Sequence, residues 1–237
     1  YNTAVGYLAG AAITTGTANV LMGGLAGDAI TTASNNVAMG HTSLGATTTG
    51  ANNIAIGADA LAANTTASNN TAVGKSALAT NTTGAGNTVM GSVAGLAVTT
   101  GNNNSLFGFG AGDAITTGSN NIAIGAFSLS VATTANFNTA LGTSTLTNNT
   151  SGPSNVAVGY GALTLNTTGG SNTAVGADAL DANTTAVNNT AVGKSALGAN
   201  TTGANNTSVG MNSMIINTTG ANNTAIGLNA LGANTTG

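Results

Sequence analysis

One unit of seventeen residues repeats along the whole chain without an insertion or a deletion. Fourteen glycines mark the unit, and an asparagine stands four residues before each of them. The glycines are Gly6, Gly23, Gly40, Gly57, Gly74, Gly91, Gly108, Gly125, Gly142, Gly159, Gly176, Gly193, Gly210 and Gly227. A fixed period over 237 residues is typical of repeat architectures, in which each unit packs on its neighbours. The sequence therefore predicts a solenoid of fourteen coils.

The pattern within the unit predicts β-structure. Counted from the asparagine as position 1, the consensus is N-T-A-V-G-x-x-A-L-x-x-N-T-T-G-x-N, and residues 189–205 are a nearly ideal copy. Position 4 is always apolar, and it shares one strand face with position 2 because side chains alternate along a strand. The apolar positions make no helical stripe. We predict an all-β parallel β-solenoid (a β-roll) with two short strands per coil, at positions 2 to 4 and 8 to 10, and with position 4 facing the core.

Two positions of the unit exchange side-chain volume. Position 9 is Leu or Met in ten coils, but it is glycine in four, namely Gly10, Gly27, Gly95 and Gly112. In those four coils position 12 is a large apolar residue. Voids in a packed interior are costly, so both positions are expected to fill the same stretch of core. The predicted core residues are Val73, Leu78, Val175, Leu180, Val192, Leu197, Ile13, Ile30, Val98 and Ile115.

Three nearly invariant columns are expected to follow from stacking. Asparagines at position 1 can hydrogen-bond through their side-chain amides from coil to coil, and threonines at position 13 can form a similar ladder. Glycine at position 5 indicates a positive φ or a corner too crowded for a Cβ atom. The predicted ladder residues are Asn53, Asn70, Asn172, Asn189, Asn206, Gly57, Gly74, Gly176, Gly193, Gly210, Thr65, Thr82, Thr184 and Thr201.

Composition argues against several functions. The chain has only five Asp and two Lys as charged residues, so it lacks the basic surface that nucleic acids require. It has no cysteine, and no apolar run approaches the ~20 residues of a membrane-spanning helix. His41 is the sole histidine, without a cluster of metal ligands around it in the sequence. We therefore predict no enzyme, no catalytic residue, no cofactor, no metal site, no nucleic-acid partner and no membrane insertion.

The two lysines stand at matching places relative to two of the aspartates. Asp59 and Lys75 are sixteen residues apart, and Asp178 and Lys194 repeat that spacing. Adjacent coils are expected to bring each pair together as a surface ion pair worth about 0–1 kcal/mol. Gene duplication explains the repetition of the arrangement without a catalytic role.

The unit resembles repeats of known fibrous proteins. Residues 172–176 and 189–193 (N-T-A-V-G) and residues 53–57 and 121–125 (N-I-A-I-G) are similar to the N-S-V-A-I-G motif of trimeric autotransporter adhesin heads. The whole unit resembles repeats of bacteriophage tail-fibre proteins. This resemblance implies a left-handed β-roll, three chains to a fibre that pack through one strand face, here the small-residue face with Ala at position 3, and receptor binding along the outside. The adhesin coils are shorter, so the N-T-T-G loop is a departure from that pattern.

These features predict a single domain over residues 1–237 that is a piece of a longer fibre, because neither end resembles a capping repeat. The leading hypothesis is a structural or adhesive extracellular fibre, on a cell surface or a virion, that self-associates as a homotrimer and binds a cell-surface receptor or glycan. One alternative is a filament or matrix protein whose subunits continue the solenoid end to end. A further alternative is ice binding through the threonines at positions 13 and 14.

Overall fold

A single strand of three residues forms in every coil, at positions 2 to 4. A computed structural model describes all residues from 1 to 237, and the chain divides into two compact units, Tyr1–Asn120 and Asn121–Gly237. The first unit contains β1 (Thr3–Val5), β2 (Val20–Met22), β3 (Val37–Met39), β4 (Ile54–Ile56), β5 (Thr71–Val73), β6 (Thr88–Met90) and β7 (Ser105–Phe107). The second contains β8 (Ile122–Ile124), β9 (Thr139–Leu141), β10 (Val156–Val158), β11 (Thr173–Val175), β12 (Thr190–Val192), β13 (Thr207–Val209) and β14 (Thr224–Ile226).

Within each unit, successive strands are parallel and paired in register. In β4 and β5, for example, Ala55 lies opposite Ala72, its counterpart seventeen residues on. The same offset relates β11 and β12. No helix forms, and so none is present that could cross a membrane. The predicted parallel β-solenoid with one coil per seventeen residues is confirmed, whereas its handedness and the single-domain assignment stay predictions.

The predicted second strand at positions 8 to 10 is wrong, because the chain turns there. Positions 7 and 9 have positive φ in coil after coil, as at Asp59 (60°) and Leu61 (51°). The N–H groups of Ala60 and Asn64 donate to the carbonyls of Gly57 and Leu61, three residues earlier, as in a series of tight turns. A left-handed Leu costs about 1–2 kcal/mol, but burial of its side chain contributes about 1.5–3 kcal/mol. Glycine at position 9 has the same conformation, as at Gly27 (56°), so the turn belongs to the coil itself and burial offsets its cost at Leu.

The core is filled from positions 3, 8, 9 and 12 of each coil. Leu78, Leu180 and Leu197 at position 9 are fully buried, and so are Ile30, Val98 and Ile115 at position 12. Ile13, in the first coil, is half-buried. A Cβ built on Gly27 would lie 2.7 Å from Cδ1 of Ile30, and one on Gly112 would lie 2.8 Å from Cδ1 of Ile115. The position 12 side chain therefore occupies the space that Leu fills elsewhere, as the volume exchange predicts.

The inward and outward faces of the strand are the reverse of those predicted. Ala72, Ala174 and Ala191 at position 3 are fully buried, whereas Val73, Val175 and Val192 at position 4 are only half-buried. The assignment of these three valines to the core is therefore corrected. The reason is that positions 3 and 9 share a narrow interior, so alanine stands at position 3 in most coils with Leu at position 9. Where position 9 is glycine, position 3 can be larger: Leu21 and Leu106 are fully buried, and their Cδ2 atoms lie 2.9 Å from a Cβ built on Gly27 and Gly112. The small-residue face is consequently inside the coil and cannot serve as an interface between chains.

Candidate functional site

The asparagines at position 1 link each coil to its neighbour by hydrogen bonds. Most of these bonds join a side-chain amide to the backbone rather than one side-chain amide to another. Asn189 Oδ1 accepts the backbone N–H of Asn206 at 2.9 Å, while its Nδ2 donates to the carbonyl of Gly203 at 2.9 Å. Asn53, Asn70, Asn172 and Asn206 repeat both bonds with their own neighbours at 2.8–3.0 Å. All five are fully buried. Direct amide-to-amide bonds occur in some coils, such as Asn36 to Asn19 at 3.2 Å.

A second asparagine column, at position 12, was not predicted as a ladder. Asn183 Nδ2 donates to Asn166 Oδ1 at 2.7 Å and Asn200 Nδ2 to Asn183 Oδ1 at 3.3 Å, so here the amides do bond to one another. The recurrence of Asn at the start of the N-T-T-G loop is the sequence signal for this column. Asn64 and Asn200 also begin N-T-T glycosylation sequences, and both are fully buried. Glycosylation of these two residues would require their coils to open.

The glycines at position 5 are required for both predicted reasons. Gly57, Gly74, Gly176, Gly193 and Gly210 have φ between +130° and +136°. A Cβ on any of them would lie 2.4–2.6 Å from the carbonyl oxygen of the glycine in the next coil. Contacts below 3.0 Å to a backbone atom force a coil to move. This column therefore sets how closely the coils stack.

The threonines at positions 13 and 14 have different environments. Thr65, Thr82, Thr184 and Thr201 at position 13 are half-buried, and each Oγ1 donates to the carbonyl of the threonine in the next coil at 3.1–3.2 Å. The residues at position 14 are exposed in every coil. Position 13 thus belongs to the scaffold, and only position 14 presents a column of threonine side chains to solvent.

We call the side chains at positions 2 and 4 the outer strand face. Its position 4 side chains are apolar in all fourteen coils, yet Ile56 is 38% exposed, Ile124 39% and Leu141 43%. No charged residue occurs at either position in any coil. Position 4 therefore forms a continuous apolar strip along each unit, and position 2 beside it is Thr or Ser in nine coils and Val or Ile in five. Such strips are rare on monomeric proteins and mark interaction surfaces.

The few titratable groups are dispersed over the coils, with Asp178 and Asp181 as the one close pair of aspartates in the sequence. No group of three or more His, Cys, Asp or Glu side chains is placed to hold a metal ion. Asp59 Oδ1 accepts the hydroxyl of Thr42 in the preceding coil. His41 and Lys75 are exposed.

A cavity of about 440 Å³ opens on the second unit. Its lining comprises Ser144, Tyr160, Gly161, Thr164, Leu165, Asp178 and Asp181. Burial raises the pKa of Asp181, and the nearby carboxylate of Asp178 raises it further. Burial also raises the pKa of Asp113, in the first unit, whose Oδ1 is buried without a hydrogen-bond partner.

Comparisons with known proteins give no match: no family model, no curated protein sequence and no solved structure is significantly similar to the chain.

Proposed function

We propose that this chain is a segment of an extracellular structural or adhesive fibre, in which copies of the solenoid associate side by side through the outer strand face. The observation that carries the proposal is position 4, which is apolar in every coil and nevertheless points outward. Nothing inside the coil requires this pattern, because position 3 supplies the inward side chain. A partner surface that covers position 4 gives a physical reason for it.

The size of the outer strand face suits a stable interface. Each unit presents fourteen side chains from positions 2 and 4 of its seven strands. A stable interface takes about 20–30 residues from each partner, and the two units together present twenty-eight side chains at these positions. Burial of such a strip at about 25 cal/mol per Å² of apolar surface is a driving force of many kcal/mol before the entropic costs of association.

The most suitable partner is another copy of this chain. A partner that covers the strip must present apolar side chains at the spacing of the coils, about 4.8 Å, over the same number of coils. A second and third copy have that spacing by construction, and closed rotational symmetry lets each copy use the same face. The trimer implied by the resemblance therefore remains our expectation, with the interface moved from position 3 to positions 2 and 4.

The test is the mass in solution of the 237-residue chain, measured by light scattering. The proposal predicts a discrete species of three times 22.2 kDa. The triple variant Val175→Asp, Val192→Asp and Val209→Asp places charges on the outer strand face of three successive coils, and it is expected to dissociate that species while the circular dichroism of each chain is retained.

The matched control changes Thr185, Thr202 and Thr219 to Asp, which adds the same charge to the same coils at exposed position 14. The control should keep the wild-type mass. A wild-type monomer, or a valine variant that associates as strongly as the control, would contradict the proposal. A broad, open-ended mass distribution that survives the valine substitutions would instead support the filament alternative.

Ice binding is a second candidate because threonine is exposed at position 14 in thirteen of the fourteen coils, with Ser151 as the exception. The structure offers it limited support, since the position 13 hydroxyls donate within the scaffold. One column of threonines presents a narrower array than a flat face with two columns. A measurement of thermal hysteresis on the wild-type chain tests this candidate, and the absence of hysteresis rejects it.

A further inference from the structure

The cavity on the second unit exists because one side chain is missing from the position 7 column. Ser144, Gly161 and Asp178 occupy that position in three successive coils, and the middle residue is glycine. A Cβ on Gly161 would lie 2.7 Å from Oδ1 of Asp178, so the carboxylate of Asp178 reaches into the gap that the missing side chain leaves. The carboxylate of Asp178 faces this gap.

The first unit contains a matched coil in which the gap is closed. Residues 56–66 (I-G-A-D-A-L-A-A-N-T-T) correspond to residues 175–185 (V-G-A-D-A-L-D-A-N-T-T), so Asp59 is the counterpart of Asp178. The position 7 residue before Asp59 is Thr42, whose hydroxyl donates a hydrogen bond to Asp59 Oδ1. The second unit has Gly161 instead of this threonine and adds Asp181, where the first unit has Ala62. The first difference removes the hydroxyl partner of Asp178. The second difference adds the carboxylate of Asp181.

The chemistry of the lining is selective for a cation. Asp178 and Asp181 bring two carboxylates into one cavity that no lysine lines. The ring of Tyr160 and the side chain of Leu165, which are 64% and 48% exposed, provide an aromatic face and an apolar wall at the same cavity. The hydroxyl of Thr164 already donates to the carbonyl of Gly161 at 2.6 Å, so its oxygen faces a ligand as an acceptor. Hydrogen-bond acceptors and a π-face suit an ammonium group with an alkyl chain.

We infer that this cavity binds a primary alkylammonium group, with the nitrogen between Asp178 and Asp181, the charge against the face of Tyr160 and the alkyl chain along Leu165. A divalent metal ion fits less well, because it requires about six oxygen ligands and the chain brings no group of three acidic or histidine side chains together. The raised pKa of Asp181 agrees with this inference, since an ammonium ion would relieve the repulsion from Asp178.

The experiment is a titration of the full chain with n-butylammonium chloride at neutral pH, followed by ¹H–¹⁵N NMR. Shifts are expected at the amides of Gly161, Thr164 and Asp178. The neutral analogue n-butanol should bind at least about tenfold more weakly, because it lacks the charge that two carboxylates recognise. Equal binding of butanol, or no saturable shifts with butylammonium, would overturn the inference.

The decisive variant is Gly161→Thr, which copies Thr42. Thr42 adopts φ of 53° and Gly161 has φ of 67°, so a threonine already adopts this conformation in the same column. The new Cβ would lie 2.7 Å from Oδ1 of Asp178, so the flexible carboxylate must shift to make room. The variant should keep the wild-type circular dichroism, fill the cavity, supply Asp178 with a hydroxyl partner and weaken butylammonium binding about tenfold or more. Asp181→Asn should also weaken binding, whereas Asp59→Asn in the matched coil should not change it. Wild-type affinity in a folded Gly161→Thr chain would refute the inference.

Two further probes distinguish the sources of the same ammonium chemistry. Cadaverine represents a free amine, and Nα-acetyl-lysine amide represents a lysine side chain within a polypeptide. Tighter binding of the blocked lysine would assign the cavity to a lysine of a partner protein, and tighter binding of cadaverine would assign it to a free amine. Each of these results supports the inference, and a failure of both probes to bind contradicts it.

Discussion

Replacement of Asn189 by alanine should remove one rung of the buried asparagine ladder. In the wild type, Asn189 Oδ1 accepts the N–H of Asn206 and its Nδ2 donates to the carbonyl of Gly203, both at 2.9 Å. Both partner residues are buried, and the carbonyl of Gly203 keeps a second donor, Asn200 Nδ2 at 2.9 Å, so the variant leaves one backbone donor, the N–H of Asn206, without a partner. An unsatisfied buried group costs about 1–3 kcal/mol, so we predict a loss of about 1–3 kcal/mol in the free energy of unfolding.

The loss can be measured by urea unfolding followed by circular dichroism, at one protein concentration because self-association shifts apparent stability. Thr202→Ala, in the same coil at exposed position 14, is the matched control and should stay within about 0.5 kcal/mol of the wild type. Hydrogen exchange provides a local readout: the Asn206 amide should lose its protection in Asn189→Ala. A variant as stable as the control, with the Asn206 amide still protected, would refute the assignment of the ladder as a source of stability.

Three further predictions follow from the scaffold and its charges. Gly193 has φ of +133°, and a Cβ there would lie 2.6 Å from a backbone carbonyl, so Gly193→Ala should lower the free energy of unfolding by at least about 2 kcal/mol. Gly24→Ala should be nearly neutral, because its Cβ would meet only a side-chain atom at 3.6 Å. Thermal melts compare the two variants. Leu197→Ala deletes a fully buried side chain and should cost about 2–5 kcal/mol in urea unfolding, and a loss below about 1 kcal/mol would contradict its place in the core. Asp181 has a pKa raised above 3.8 in the folded state, so folding is expected to gain stability as the pH falls from the raised value toward 3.8. Asp181→Asn should reduce this dependence of the melting temperature on pH. Part of the dependence should remain, because Asp113 contributes in the same direction. If the melting temperature of the variant varies with pH as that of the wild type does, Asp181 has the same pKa in the folded and unfolded chain.

The sequence by itself determined the architecture. An unbroken period of seventeen residues fixes one coil per unit, and the exchange of volume between Gly27 and Ile30 shows that positions 9 and 12 share the core. The invariant glycine column predicts the positive φ and close stacking that the structure shows. These features can be read from sequence because each depends on neighbours that the period itself brings together.

Tertiary structure decided which face of the strand is inside. The alternation of side chains shows that Thr190 and Val192 share a face and that Ala191 lies on the other, but it does not say which face meets the core. Closure of the coil settles this, because Leu197 fills the interior and leaves room only for the methyl group of Ala191. The same closure forces position 9 into a left-handed conformation, and so a turn replaces the predicted second strand.

The surface features likewise depend on contacts between coils. Thr42 donates a hydrogen bond to Asp59, whereas Gly161 leaves a gap beside Asp178. Each pair is seventeen residues apart in the sequence, so its members become neighbours only when the coils stack. Sequence therefore determined how the chain is built. The closed coil determined which side chains remain exposed and available to a partner, because the packed interior has a fixed volume and excludes the others.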